Sequence, residues 1–481
     1  MRIGQTSAIV FVSKLLSSVL GFAATLYFAR TLGAEILGYF ATTIALVSWL
    51  KLTGDIGVSN AVRKRITEGD DIPEFAMAGV ITIATFTVAI SLIVVLFNDL
   101  IESYVGRPVT VFVVVLLASQ LLKSMIYSLL EADQLVHISG ILEPVQTGSR
   151  AAIQTGLVIL GFELSGMFIG QAAGWILASL VGILYISTSF SLPTFYHFKR
   201  LYDYAKYSWL GALESRSFRN VDILLLGVFV SPTLVGIYSV SWSLATFLTI
   251  FGGAVRTAIF PQISRSDAEG DIEQVVSHII DGLSFGGLVI IPGFVGAILI
   301  GDRILRVYGP EFTRGAAVFG LLVLSCLFHG YQQQLLNVLS AIDRPDLSFR
   351  INFVFITANV VCNAVLIFWI GWIGAAIASV VSSTLGMALA YRTLQVQLDF
   401  ATPWKVIGKQ VLSAGVMGIF AYLLEVALDV TIVRKYNIVL VLIVVTTGTA
   451  IYFFTLFLIS LNFRRAVWSN LPDQLSQIVR S

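Results

Sequence analysis

The sequence predicts an all-α polytopic membrane protein with about 14 transmembrane helices. Hydrophobic residues make up 57% of its 481 positions and charged residues only 12%, whereas soluble domains carry roughly 25% charged residues. The mean hydropathy is +0.88. Apolar runs of about 20 residues, enough to cross a hydrocarbon core of about 30 Å, recur along the whole chain. Lipid requires each span to satisfy its own backbone, and no run alternates as barrel strands do, so the spans are expected to be helices.

In chain order the runs cover 6–28, 36–53, 75–97, 109–130, 141–160, 166–188, 207–230, 233–256, 276–300, 314–339, 349–370, 373–391, 407–427 and 437–461. The first exceeds a signal-peptide core and no polar mature domain follows it, so it reads as a span. Tight turns are expected at 161–165, 231–232 and 371–372, and the basic stretch 189–206 reads as a loop. Cys326 and Cys362 lie inside apolar runs and read as small core residues rather than a disulfide or metal framework. A net charge of +2 leaves no basic face for nucleic acid.

With a cytoplasmic amino terminus, seventeen of the thirty Lys and Arg residues fall on the cytoplasmic side, among them Arg63, Lys64, Arg65, Lys199 and Arg200. The positive-inside rule then places both termini in the cytoplasm, as in a multi-pass protein of the inner membrane. No external loop exceeds roughly 15 residues, which leaves no room outside for a folded catalytic domain.

The chain repeats itself. Residues 36–66 resemble 234–264, with Gly38 matching Gly236; 128–140 resemble 338–350, and 164–179 resemble 372–387. The expected domains are an N-lobe of six helices at 1–199, a C-lobe of six at 200–400, and a pair of further helices with a cytoplasmic tail at 401–481. Two parallel copies imply a pseudo-two-fold along the membrane normal with the substrate path between the lobes.

Polar residues inside the spans mark the faces that avoid lipid. Run 207–230 holds Glu214, Arg216, Arg219, Asn220 and Asp222. In run 141–160, Glu143, Gln146 or Thr147, Arg150 and Gln154 share one helical face. Lys14 shares a face with Ser18 and Gly21, and Lys123 with Gln120 and Tyr127. The matching helices of the second half carry uncharged stripes: His329, Gln332 and Asn337, then Asn352, Asn359 and Asn363.

The segments FARTLGAEILGYF and GDIGVSNAVRKRI, followed by two matched halves, resemble the polysaccharide-transport branch of the multidrug/oligosaccharidyl-lipid/polysaccharide exporter superfamily. That branch includes O-antigen and lipid II flippases. The resemblance covers essentially the whole chain and rests on Arg30, Leu32, Gly33, Gly38, Tyr39, Gly57 and Arg63 as a set. It implies an alternating-access flippase, driven by a membrane gradient, that moves a polyprenyl-(pyro)phosphate-linked oligosaccharide from the cytoplasmic to the outer leaflet. The implied partners are that substrate, membrane lipids and glycan-assembly proteins, with the chain acting as a monomer.

Such a substrate needs cations for its phosphate and amides or hydroxyls for its sugars. Lys14, Arg150, Arg216 and Arg219 are the expected anion-binding groups, with Lys123, Glu143, Glu214, Asp222, Gln154, Asn359 and Asn363 completing a central cavity. The same residues also read as ion pairs between helices, Arg216 and Arg219 with Glu214 and Asp222, and Lys51 with Asp55. Gly166, Gly170 and Gly174 read as close helix packing rather than a phosphate loop. No catalytic, nucleotide-binding or metal-binding constellation is present, so no enzyme activity and no cofactor are expected, while the coupling proton or cation stays unassigned. A cation-coupled multidrug antiporter of the same superfamily is the alternative; a membrane glycosyltransferase or polymerase would need a larger polar loop.

Overall fold

The computed structural model describes residues 3–429, 436–461 and 463–465, with the backbone alone for residues 3–11, 14, 207–217, 219 and 429. The described residues form α-helices joined by short turns and contain no strand. In chain order the helices are α1 (Ile3–Asp55), α2 (Val58–Glu68), α3 (Ile72–Leu96), α4 (Asn98–Val105), α5 (Thr110–Ala132), α6 (Val136–Ile159), α7 (Glu163–Ile183), α8 (Phe195–Phe229) and α9 (Pro232–Phe247). They continue as α10 (Ile250–Ala268), α11 (Ile272–Gly286), α12 (Ile290–Arg306), a 3₁₀ turn at Pro310–Gly315, α13 (Ala316–Ala341), α14 (Pro345–Ile370), α15 (Trp372–Gln397), α16 (Trp404–Asp429) and α17 (Asn437–Ile459).

Ten of the described helical stretches are long and apolar enough to cross a membrane, or eleven with α9 and α10 taken as one span bent by 44°. Each of the fourteen runs of the sequence is largely helical. The difference in number has physical causes. Helix α1 runs 53 residues, about 80 Å if straight, which is more than twice the hydrocarbon thickness. It therefore holds the first two runs, which meet at a kink where Gly33 takes φ 78°, a conformation that suits glycine. Helices α6 and α8 are long enough to span but too polar to count as apolar.

Two expectations about connections are corrected. The stretch 189–206 is a loop only as far as Thr194, because α8 starts at Phe195. Thr194 and His197 form a reciprocal cap there, which satisfies the first free N–H groups and starts the helix despite its basic residues. Run 276–300 is broken by a turn at 287–289, between α11 and α12.

The chain groups into two compact units, 1–240 with 356–375, and 241–355 with 376–481. Their boundaries fall elsewhere than the expected lobe limits at 199 and 400. In the first unit, α2, α3, α5 and α7 supply an apolar core around Val62, Phe75, Leu117, Leu121 and Phe168. Helices α1 and α9 cross where Gly38 meets the Pro232 carbonyl and Gly236 meets the Ala34 carbonyl, so closely that a Cβ at either glycine would overlap the oxygen. The contact is reciprocal, and it joins the two glycines that the repeat aligns. In the second unit, one core joins α10, α11, α13 and α15 around Leu283, Leu335 and Leu394. Another joins α12 to α16 and α17 around Ile291, Met417 and Leu456.

Candidate substrate-binding site

The polar face of α6 is held in place by a line of glycines on α7. Gly166 sits against Leu157, Gly170 against Gln154, and Gly174 against Arg150 and the Gln146 carbonyl. With no side chains between them, the two helices come close enough for Gln154 Nε2 to donate to the Met167 carbonyl at 2.7 Å. These glycines are packing residues, as their place in an apolar span implies. They also fix the direction in which Glu143, Gln146 and Arg150 leave α6.

Glu143 and Gln146 meet α5. Lys123 Nζ donates to Glu143 Oε1 at 3.1 Å and also to Gln146 Oε1, and it lies 4.6 Å from the centre of the Tyr127 ring. This group stands on the wall of a cavity of about 350 Å³ within the first unit. Two further ion pairs line the same cavity. Lys51 Nζ is 3.3 Å from Asp55 Oδ2, and Arg63 Nη1 is 2.5 Å from Glu131 Oε2. Asp55 also accepts from the Ser59 N–H at 2.8 Å and from Ser124 Oγ at 3.0 Å. Gln120 and Asn60 complete a wall of amides, hydroxyls and paired charges.

Arg150 lies two turns along α6 from Glu143. Its Nη1 donates to Gln171 Oε1 at 3.3 Å, and its Nη2 would be 3.6 Å from a Cβ placed on Gly21 of α1. Its buried Nε has no hydrogen-bond partner. Among the described residues no carboxylate lies within ion-pair distance of it. A guanidinium inside a membrane protein that is satisfied on one edge by a neutral amide retains donors for an anion.

A second polar group in this unit is closed. Asp222 of α8, 1% exposed, accepts from Asn363 Nδ2 at 2.8 Å and from Tyr238 Oη, while Asn363 also donates to the Asn359 carbonyl at 2.9 Å. Both of these donors, the Asn363 amide and the Tyr238 hydroxyl, are neutral.

The model of the polysaccharide biosynthesis protein family matches residues 27–317, more than half of the chain. The chain belongs to that family. The protein named "Probable flippase AglR" of Haloferax volcanii is 32% identical over 98% of this chain and 99% of its own length. "Probable low-salt glycan biosynthesis flippase Agl15" of the same organism is 26% identical over 94% of this chain and 96% of its own. A solved structure of the lipid II flippase MurJ in an inward closed conformation shares the fold, with a TM-score of 0.80 at 17% identity over 96% of this chain and 100% of that one.

In this family member the residues singled out from the sequence fall into three places. Lys123 and Glu143 stand together on the cavity, with Arg150 and Gln154 farther along the same helix. Asp222, Asn359 and Asn363 form the closed cluster. The side chains of Lys14, Glu214, Arg216 and Arg219 lie outside the described residues. Sequence reasoning misses Arg63 and Glu131 as cavity residues. They are 68 positions apart, and no helical periodicity links them. It reads Lys51 and Asp55 as an interfacial pair; the pair forms, and it lines the cavity.

Proposed function

We propose that the protein is a flippase that carries a polyprenyl-(pyro)phosphate-linked oligosaccharide from the cytoplasmic to the outer leaflet by alternating access. The observation that carries this reading is Arg150, a half-buried guanidinium with no carboxylate partner among the described residues, two turns along α6 from Glu143 on the wall of a cavity lined by amides, hydroxyls and paired charges. Its free donors suit the substrate phosphate, and the cavity wall replaces water lost by the sugars, while the lipid tail stays in the bilayer. Lys14, Arg216 and Arg219 remain proposed partners of Arg150 in holding the phosphate. The names of the flippases AglR and Agl15, related along almost the whole chain, support the same reading.

The protein acts as a transporter without catalysis, as a multi-pass monomer of the inner membrane with both termini in the cytoplasm and with the repeat forming two lobes. An antiporter for cationic drugs would need a carboxylate ready to receive the drug. The cavity carboxylates Asp55, Glu131 and Glu143 are each held by a basic side chain, which favours the anionic substrate.

Deletion of the gene should cause lipid-linked oligosaccharide to accumulate in the cytoplasmic leaflet, measured by leaflet-resolved labelling. Complementation with Arg150→Ala should leave export at least about tenfold below that given by the original chain, equivalent to about 1.4 kcal/mol, at equal membrane abundance. Arg150→Lys should restore part of it. Normal export by folded Arg150→Ala overturns the assignment of Arg150. An unchanged lipid-linked pool with altered drug tolerance overturns the flippase reading.

A further inference from the structure

The turn at 287–289, where α11 ends and α12 begins, has two side-chain oxygens without a hydrogen-bond partner against it, Gln410 Oε1 and Tyr331 Oη. Gln410 Nε2 donates to the Ser284 carbonyl at 2.6 Å. A carbonyl can only accept, so this bond fixes which end of the Gln410 amide points away: Oε1 is aimed at the turn. A Cβ built on Gly287 would stand 3.2 Å from that Oε1 and would overlap Tyr331 Oη, so the two oxygens share the space beside Gly287. Tyr452 packs in the same cluster as Leu288, Ile291 and Ala414. Gln410 Oε1, Tyr331 Oη, Ser413 Oγ and Tyr452 Oη are all buried without a partner. Gln410 is 2% exposed, Ser413 0% and Tyr452 1%.

Leaving such atoms unsatisfied in an apolar surrounding is unfavourable, so the group points to a ligand. The fixed amide oxygen selects a donor or a cation over an anion. The hydroxyls can turn their lone pairs the same way. Gly287 and Val289 keep helical φ/ψ, and the Phe285, Gly287 and Val289 carbonyls accept from the Leu288, Ile291 and Gly293 N–H groups, so the turn is tight and the side-chain oxygens carry the site. Neutral oxygens that replace the hydration shell are a known way to hold an alkali cation in a membrane. Among the described residues no cluster of three or more His, Cys, Asp or Glu could hold a metal ion, so a multivalent ion has no matching charge.

We propose that the turn between α11 and α12 binds one alkali cation through Gln410 Oε1 and Tyr331 Oη, with Ser413 Oγ one turn along α16 from Gln410 and Tyr452 Oη completing the oxygen set. The site gives a role to α16 and α17, which lie outside the internal repeat and supply three of its four side chains. It stands on its own geometry and does not depend on the flippase reading. Gly287 has φ −87°, which alanine adopts freely, so glycine is required there for space rather than for conformation.

The test is thermal unfolding of the full chain in lipid nanodiscs, in sodium, potassium or choline chloride at equal ionic strength. At least one alkali salt should raise the midpoint over choline by about 2 °C or more, saturably. Gln410→Leu and Gly287→Ala should each abolish that rise. Where one of them does not fold, Ser413→Ala and the stoichiometry of radioactive sodium or rubidium on the unmodified protein, expected near one per chain, decide. Equal midpoints in all three salts mean that water alone fills the site, and overturn the proposal. A shift that survives the substitutions also overturns it, by placing the ion elsewhere.

Discussion

The polar interiors of the two units are arranged differently. In the first unit, charged side chains from α1, α2, α5 and α6 face one another across a cavity, as Lys51 with Asp55, Arg63 with Glu131 and Lys123 with Glu143. In the second, amides reach across to backbone carbonyls. Gln334 donates to Gly252 at 3.0 Å, Asn337 to Arg256 at 3.3 Å and Gln410 to Ser284 at 2.6 Å. A side chain paired with another side chain can exchange its partner for a ligand. An amide pinned to a neighbouring backbone instead holds two helices in register. The contrast is one of arrangement, since Gln154 also staples α6 to the Met167 carbonyl in the first unit and Arg303 pairs with Glu425 at 2.9 Å in the second, but the first unit gathers three ion pairs around one cavity.

The sharpest way to break this contrast is to remove one member of a cavity ion pair. Lys123→Met leaves Glu143 without its cation and should lower stability by about 2–3 kcal/mol, less than for a fully buried pair because Glu143 is 39% exposed. Lys123→Met with Glu143→Leu should recover much of that loss, as read from unfolding midpoints in nanodiscs. Additive losses would show that the pair is not a unit. The closed cluster comes next. Tyr238→Phe removes one donor from the buried Asp222 carboxylate and should cost about 1.5–3 kcal/mol, because the acceptor is charged. The neutral staple should matter less: Gln334→Leu frees the Gly252 carbonyl and should cost about 1 kcal/mol. A loss as large as that of Lys123→Met would erase the distinction between the two interiors. At the exposed end of the scale, Lys64 pairs with Glu68 at 3.5 Å on α2, and Lys64→Ala should change the midpoint by no more than about 0.5 kcal/mol equivalent.

Several of these groups are legible in the sequence because a helix repeats every few residues. Glu143, Gln146, Arg150 and Gln154 recur at helical spacing, and the structure places them on one side of α6 with Gly170 and Gly174 of α7 against them. Lys51 and Asp55 are one turn apart and pair. The alignment of Gly38 with Gly236 identifies two positions that meet at one crossing. Partners distant in the chain leave no such signal, as with Arg63 and Glu131, or with Asp222 and Asn363, which are 141 positions apart. The basic residues of 195–206 suggest a loop, yet charge and helix are incompatible only within lipid. Beyond the hydrocarbon a helix continues in water, and α8 does so.

The sequence by itself determined the class, the helical spans, the internal repeat and the polar face of α6. These follow from local or periodic properties: lipid demands apolar length and a self-satisfied backbone, and a helix turns sequence spacing into a face. Tertiary structure alone decided which charges meet. It paired Lys123 with Glu143 and Arg63 with Glu131, gave Arg150 a neutral amide, enclosed Asp222 with Tyr238 and Asn363, and broke one span at Gly287. Each depends on which helices pack together and how closely, and that is set by contacts between residues far apart in the chain.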